Sequence, residues 1–292
     1  LSVLPALIGI SIHENKYYYL SWIPSESGPL VIDYGTTEIK GEDIPFDYFI
    51  NNIKEYNINP RFTIALNNQH IKYNFLESYN PLIDDWNNRN NYDKIFQSSY
   101  DSYIYNTKSG DFNIHILKSI KNNIVNQIKY KKYPLANLSV GIFSALTGVK
   151  SWYNLENFSN YIILKLSKRN ILELLIIRDR QFSSYVIGQK NNDTFNIISF
   201  FGNKKYKGHI SDIINSFFSD SLDLKDYEKL FYYSIDGNRN DANLFSSFDS
   251  NKFILINPFK RLIFDDNYNS KLSEINLSSY AELGNAFGGI DV

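Results

Sequence analysis

Apolar residues in this chain fall into short runs, many of them β-branched or aromatic, broken by small polar turns. Such runs suit strands on a pleated surface. Residues 6–12 form the first, His13-Glu14-Asn15-Lys16 is a polar turn, and residues 17–23 form an aromatic-rich second strand. Residues 30–34 make a third, stopped by Gly35. Over 45–56 the period changes: Phe46, Phe49, Ile50 and Ile53 share one face of a helix whose first turn holds Pro45.

The same order returns later. Residues 161–166, 171–177 and 181–187 read as three strands joined by polar turns, and after a loop residues 210–218 read as a helix. A β–β–β–α pattern therefore occurs twice, offset by about 154 residues. Between the two lie a strand at 61–66 continued at 71–76, a helix at 81–96, and strands at 100–105 and 112–117. A helix through Tyr130 capped by Ser119 follows, then a strand at 135–140 and a short helix at 142–146. After the second meander come a strand at 229–235, the turn Asp236-Gly237-Asn238, a helix to about residue 248 and a strand at 253–256. A final helix over 278–287 has a Ser cap and a Gly-Gly stop. The expected fold is α/β with two ribonuclease-H-like halves, 1–150 and 151–292, and a strand–helix–strand–strand module inserted at about 61–118 in the first.

Composition narrows the function classes. The 292 residues carry a formal net charge of -1 with Lys and Arg dispersed, which argues against a broad nucleic-acid footprint. No Cys is present, so disulfides, thiolate nucleophiles and Cys-type zinc sites are excluded. The chain also lacks Met and reads as a fragment or a processed form. Its opening has no basic segment of the signal-peptide kind, and no apolar run is long enough to cross a membrane.

The strand–turn–strand opening, the late Asn257-Pro258-Phe259 and the stretch Tyr280-Ala-Glu-Leu-Gly-Asn-Ala-Phe-Gly288 together resemble the actin-like ATPase superfamily. The likeness is to the pilus-assembly proteins of the PilM type and their secretion-system relatives, the cytoplasmic domains of the GspL type. The inserted module looks like the extra subdomain of PilM and FtsA. In that superfamily each of two phosphate turns carries Asp, an apolar residue and Gly at the end of a strand. The Asp organises Mg²⁺, and the Gly lets backbone N–H groups approach phosphate.

The matching positions here are Ser11, Ile12 and His13, with Asn15 in the turn beyond, and then Lys165, Leu166 and Ser167. A late glycine pair is replaced by Asp236-Gly237, with Asn238 next. Ser11, His13, Asn15, Lys165, Ser167, Gly237 and Asn238 are thus the expected positions of a degenerate nucleotide cleft, with no catalytic residue and no metal ligand among them. Strand alternation leads us to expect Lys165 to face solvent. No cofactor is expected, and ATP binding is expected to be weak or absent.

What the resemblance implies is a cytoplasmic scaffold or adaptor that binds a short peptide of an inner-membrane partner in pilus or secretion machinery. Two alternatives stay open: a Bacteroidetes-type actin-like family of unassigned function, and an active enzyme of the sugar-kinase or exopolyphosphatase kind.

Other constellations weigh less. His13, His70, His115 and His209 have no metal-type spacing. His13 and Glu14 are adjacent on a tight turn and should point apart. The acid pairs Asp84-Asp85 and Asp265-Asp266 read as a helix cap and a solvated face. In runs such as Tyr17-Tyr18-Tyr19 and Tyr232-Tyr233, half of the rings should reach the core and half a partner groove.

Overall fold

A computed structural model describes residues 4–39, 41, 43–54, 56, 58–77, 98–107, 110–167, 170–191, 194–216, 226–235, 249–264 and 277–287. β1 (Leu4–His13) and β2 (Lys16–Ser25) form an antiparallel hairpin around Glu14-Asn15, with Glu14 at a positive φ of 39°. β3 (Gly28–Glu38) pairs antiparallel with β2. Helix α1 (Phe46–Asn51) then carries the chain across, so that β4 (Ile58–Leu66) returns parallel to β1. A parallel return needs such a crossover, whereas the first three strands need only turns.

β5 (Ile71–Glu77), β6 (Tyr100–Thr107) and β7 (Gly110–Leu117) make a separate antiparallel sheet in the order β5-β7-β6. Helix α2 (Lys118–Lys131) starts directly from β7, which puts Ser119 inside the first turn instead of at the cap. β8 (Leu135–Val140) pairs parallel with β4 and runs into α3 (Gly141–Tyr153).

The second meander comprises β9 (Tyr161–Ser167), β10 (Ile171–Arg178) and β11 (Gln181–Asn191), all antiparallel. β12 (Thr194–Gly202) follows where the sequence suggested a loop. Helix α4 spans Lys207–Ser216. Then come β13 (Lys229–Ser234), β14 (Phe253–Leu255), β15 (Ile263–Phe264) and a 3₁₀ helix, Ser278–Ala286.

The two large sheets run β15-β3-β2-β1-β4-β8 and β12-β11-β10-β9-β13-β14. Without one added edge strand each, both have the order third-second-first-fourth-fifth. This is the ribonuclease-H-like sheet, present twice, and the fold is α/β as expected. β4 belongs to the first of these sheets, so the strand at 61–66 is not part of the module, whose described strands are β5, β6 and β7. The helix expected at 81–96 lies outside the described residues, as do Asp84, Asp85, Asp265, Asp266 and the helix expected before residue 248.

Packing divides the chain into two compact units. One comprises Leu1–Asn68, Ile124–Asn157 and Phe231–Val292; the other comprises Gln69–Asn123 and Phe158–Leu230. In the first, both faces of the sheet are covered. Ile8, Ile10, Phe62 and Ile64 lie on the face that also carries Tyr17 and Tyr19, and α1 lays Phe49 against both Tyr rings and Phe46 against Phe62. The opposite face, with Gly9, Ser11, His13 and Tyr18, receives the 3₁₀ helix: Tyr18 meets Tyr280 edge-on, and Trp22 stacks on Phe287. All of Tyr17, Tyr18 and Tyr19 are therefore buried, not alternate ones, and so are Tyr232 and Tyr233. In the second unit, Tyr73, Phe112, Phe182, Tyr185 and Phe201 form one ring cluster.

Candidate functional site

The end of β1 in the first unit holds an enclosed polar cluster. Gly9, Ser11 and His13 alternate onto the face under the 3₁₀ helix. A Cβ at Gly9 would stand 3.1 Å from Ala286 Cβ and 3.6 Å from Leu283, so glycine there lets the helix lie close to the strand. Ser11 is fully buried and His13 is 7% exposed. Ser11 Oγ lies 2.5 Å from His13 Nε2, and Glu282 Oε2 lies 3.0 Å from the same nitrogen. Tyr233, from β13, donates its hydroxyl to Glu282 Oε1 at 2.8 Å. Tyr18 sets its ring edge-on to His13, with centroids 5.4 Å apart, and donates to the Ile235 carbonyl at 2.7 Å.

The segment carrying Glu282 is pinned by its backbone. Ser144 of α3 donates to the Glu282 carbonyl, and the Asn285 N–H donates to Ser144 Oγ at 3.0 Å. Gly284 lies so near α3 that a Cβ would fall 2.2 Å from the Ser144 carbonyl oxygen. The Glu282 carboxylate itself rests against Gly141, the first residue of α3, where a Cβ would meet Oε2 at 2.4 Å. An anion near a helix N-terminus gains from the exposed N–H groups there. Glu282 is 1% exposed, so its charge depends on these neighbours instead of on water.

A serine, an imidazole and a carboxylate together suggest a nucleophilic triad, but the geometry is wrong for one. A relay places the nucleophile and the acid on opposite ring nitrogens. Here both meet Nε2, and Ser11 is closed off from solvent.

In the second unit Lys165 is buried, contrary to the expectation of a solvent-facing side chain. The reason is the neighbouring strand: Lys165 lies directly across from Glu173 in the β9–β10 ladder, and Nζ is 3.3 Å from Glu173 Oε1. Tyr185 donates to Glu173 Oε2 at 2.7 Å, and its own pKa is held well above the ordinary phenol value by burial and by the Glu173 charge. Two buried charges tolerate the interior only as such a hydrogen-bonded pair.

Of the residues singled out from the sequence, Ser11 and His13 come together, Asn15 is exposed in the hairpin turn, and Ser167 ends β9 half-buried. Gly237 and Asn238 lie outside the described residues. His13 and exposed Glu14 do point apart, and the carboxylate that meets the ring is Glu282. Glu282, Tyr233 and Glu173 were missed. Glu173 had a signal, an acid inside an otherwise apolar strand; Glu282 had only its place among small residues. Among the described residues no group of His, Asp and Glu could hold a metal ion, and no helix is long and apolar enough to cross a membrane.

No protein-family model matches the chain, and no curated protein matches it. Solved structures do. A PilM–PilN type IV pilus biogenesis complex aligns over 98% of this chain and 99% of that chain at a TM-score of 0.57, with 10% identity. The cytoplasmic domain of EpsL, an inner-membrane component of the type II secretion system of Vibrio cholerae, covers 78% and 82% at 0.40, with 8% identity. A Bacteroides thetaiotaomicron protein with an actin-like ATPase fold and unknown function covers 97% and 95% at 0.38, with 9% identity. At these identities the likeness concerns fold. With the repeated sheet order, the PilM–PilN match at 0.57 makes this an actin-like ATPase fold, similar to that of PilM.

Proposed function

We propose that this chain is a non-catalytic scaffold of the PilM kind, which binds a short peptide of an inner-membrane protein during assembly of pilus or secretion machinery. It would work at the cytoplasmic face of the membrane, held there by its partner. We further propose that its halves by repeat are 1–150 and 151–292, and that the positions corresponding to the nucleotide cleft no longer serve a nucleotide.

One observation carries the reading. His13, which the resemblance matches to the first phosphate turn's glycine, is packed under Glu282 with Ser11 beside it. A phosphate turn needs open backbone N–H groups and an acid for its metal. At this place a ring fills the approach, and both oxygens of the nearest carboxylate already have partners, Tyr233 and His13. Lys165 is likewise occupied by Glu173. An imidazole and an ammonium group do not fit the oxygen-rich shell that Mg²⁺ prefers, and the one hydroxyl, Ser11, is already bonded to His13; we derive no phosphoryl-transfer step.

The test uses the full chain. A labelled N-terminal peptide of a candidate inner-membrane partner of the PilN kind should bind saturably in fluorescence anisotropy, and a scrambled peptide should not. A phosphate-release assay should stay at the buffer rate. Equal binding of both peptides, or turnover of ATP, would overturn the proposal.

A further inference from the structure

We propose that the pole of the first unit built from β1, β13 and the start of α3 is a carboxylate-binding cradle whose resident ligand is the chain's own Glu282. The inference deepens the scaffold reading by naming what fills the site, and it rests on that reading in placing no nucleotide there.

Three groups converge on one carboxylate from separate elements. His13 Nε2 reaches Oε2 from β1 at 3.0 Å, Tyr233 OH reaches Oε1 from β13 at 2.8 Å, and Gly141 leaves open the space the two oxygens occupy at α3. His13 is 7% exposed and Tyr233 is fully buried, so neither donor is arranged for water. Tyr233 donates a hydrogen bond to Oε1, while His13 stands beside Oε2 at ion-pair distance, with Ser11 Oγ on the same ring nitrogen. The backbone of the same segment is fixed independently, by Ser144 on the Glu282 carbonyl and the Asn285 N–H. The cradle therefore survives removal of the Glu282 side chain as a cavity lined by the Tyr233 hydroxyl and the His13 ring.

It follows that Glu282→Ala opens a site for a free monocarboxylate. The variant should melt below the wild type. Sodium acetate or formate should restore part of the loss, while sodium chloride at equal ionic strength should not. Above the dissociation constant each tenfold increase in acetate should raise Tm by about 2 °C. The wild type, with its cradle filled, should not respond, and His13→Ala in the Glu282→Ala background should abolish the response.

Absence of rescue, an equal response in the wild type, or rescue by inorganic phosphate and not by acetate overturns the proposal. If Glu282→Ala does not fold, the isosteric Glu282→Gln decides. Its His13 ring ¹⁵N shifts should move while those of His70, His115 and His209 stay, and unmoved His13 shifts contradict the cradle. ATP binding by the wild type would instead sink the scaffold reading while leaving the acetate result standing.

Discussion

Single side chains in the first unit carry loads that their types do not suggest. Gly284 is a contact surface between the 3₁₀ helix and α3: a methyl group there would overlap the Ser144 carbonyl oxygen and the Gly148 backbone. Backbone cannot give way as a side-chain tip can, so Gly284→Ala should cost about 3 kcal/mol or more in chemical denaturation. A cost near zero would mean that the helix is not seated as described.

Asp33 shows the opposite problem. Burial holds its carboxyl above the ordinary value, against the opposing hydrogen bonds from Asn52, the Tyr34 backbone and Tyr19, and its Oδ2 is buried with no hydrogen-bond partner. A raised folded pKa means that the stabilising contribution is present below the ordinary value and is lost as pH rises through the folded one. Asp33→Asn should therefore be more stable than the wild type at neutral pH, with the advantage shrinking as the pH falls toward the ordinary Asp value. Melting curves across that range test it, and an advantage that grows on acidification would contradict it.

Among the elements, the β9–β10 ladder makes the sharpest case. Lys165→Ala leaves Glu173 buried with its charge partner gone and should destabilise by about 3–5 kcal/mol. Replacing both residues, Lys165→Met with Glu173→Leu, should recover most of that, because an apolar pair of similar volume removes both desolvation costs. Denaturation of the single and double variants separates this from a simple packing loss.

The same ladder explains what was legible in the sequence. The hairpins 6–23 and 171–187 could be read because polar turns such as Glu14-Asn15 and Arg178-Asp179-Arg180 punctuate β-branched runs. Lys165 could not, because alternation within one strand is silent about the residue opposite. β12 was lost because Gln189-Lys190-Asn191-Asn192-Asp193 reads as one polar loop, although β11 extends through part of it. The 278–287 helix was found, but its 3₁₀ winding and the use of Ser278 Oγ as acceptor for the Ser234 N–H instead of as a cap are set by tertiary packing.

For the whole molecule, order of elements proved more readable than chemistry. Two meanders at a fixed offset foretold two sheets of the same strand order, since local turns and crossovers dictate that order. The candidate site was only half visible. Ser11 and His13 stand in a motif-like position on one strand, whereas Glu282 and Tyr233 reach them from parts of the chain far away in sequence, which no periodicity records. Under the proposed reading, the actin-like fold is kept while the first phosphate position is closed by the chain's own side chains. Isothermal titration of Mg-ATP into the chain tests this most directly. We expect no saturable heat up to millimolar nucleotide, with or without magnesium; a saturable, magnesium-dependent isotherm in the micromolar range would contradict the account.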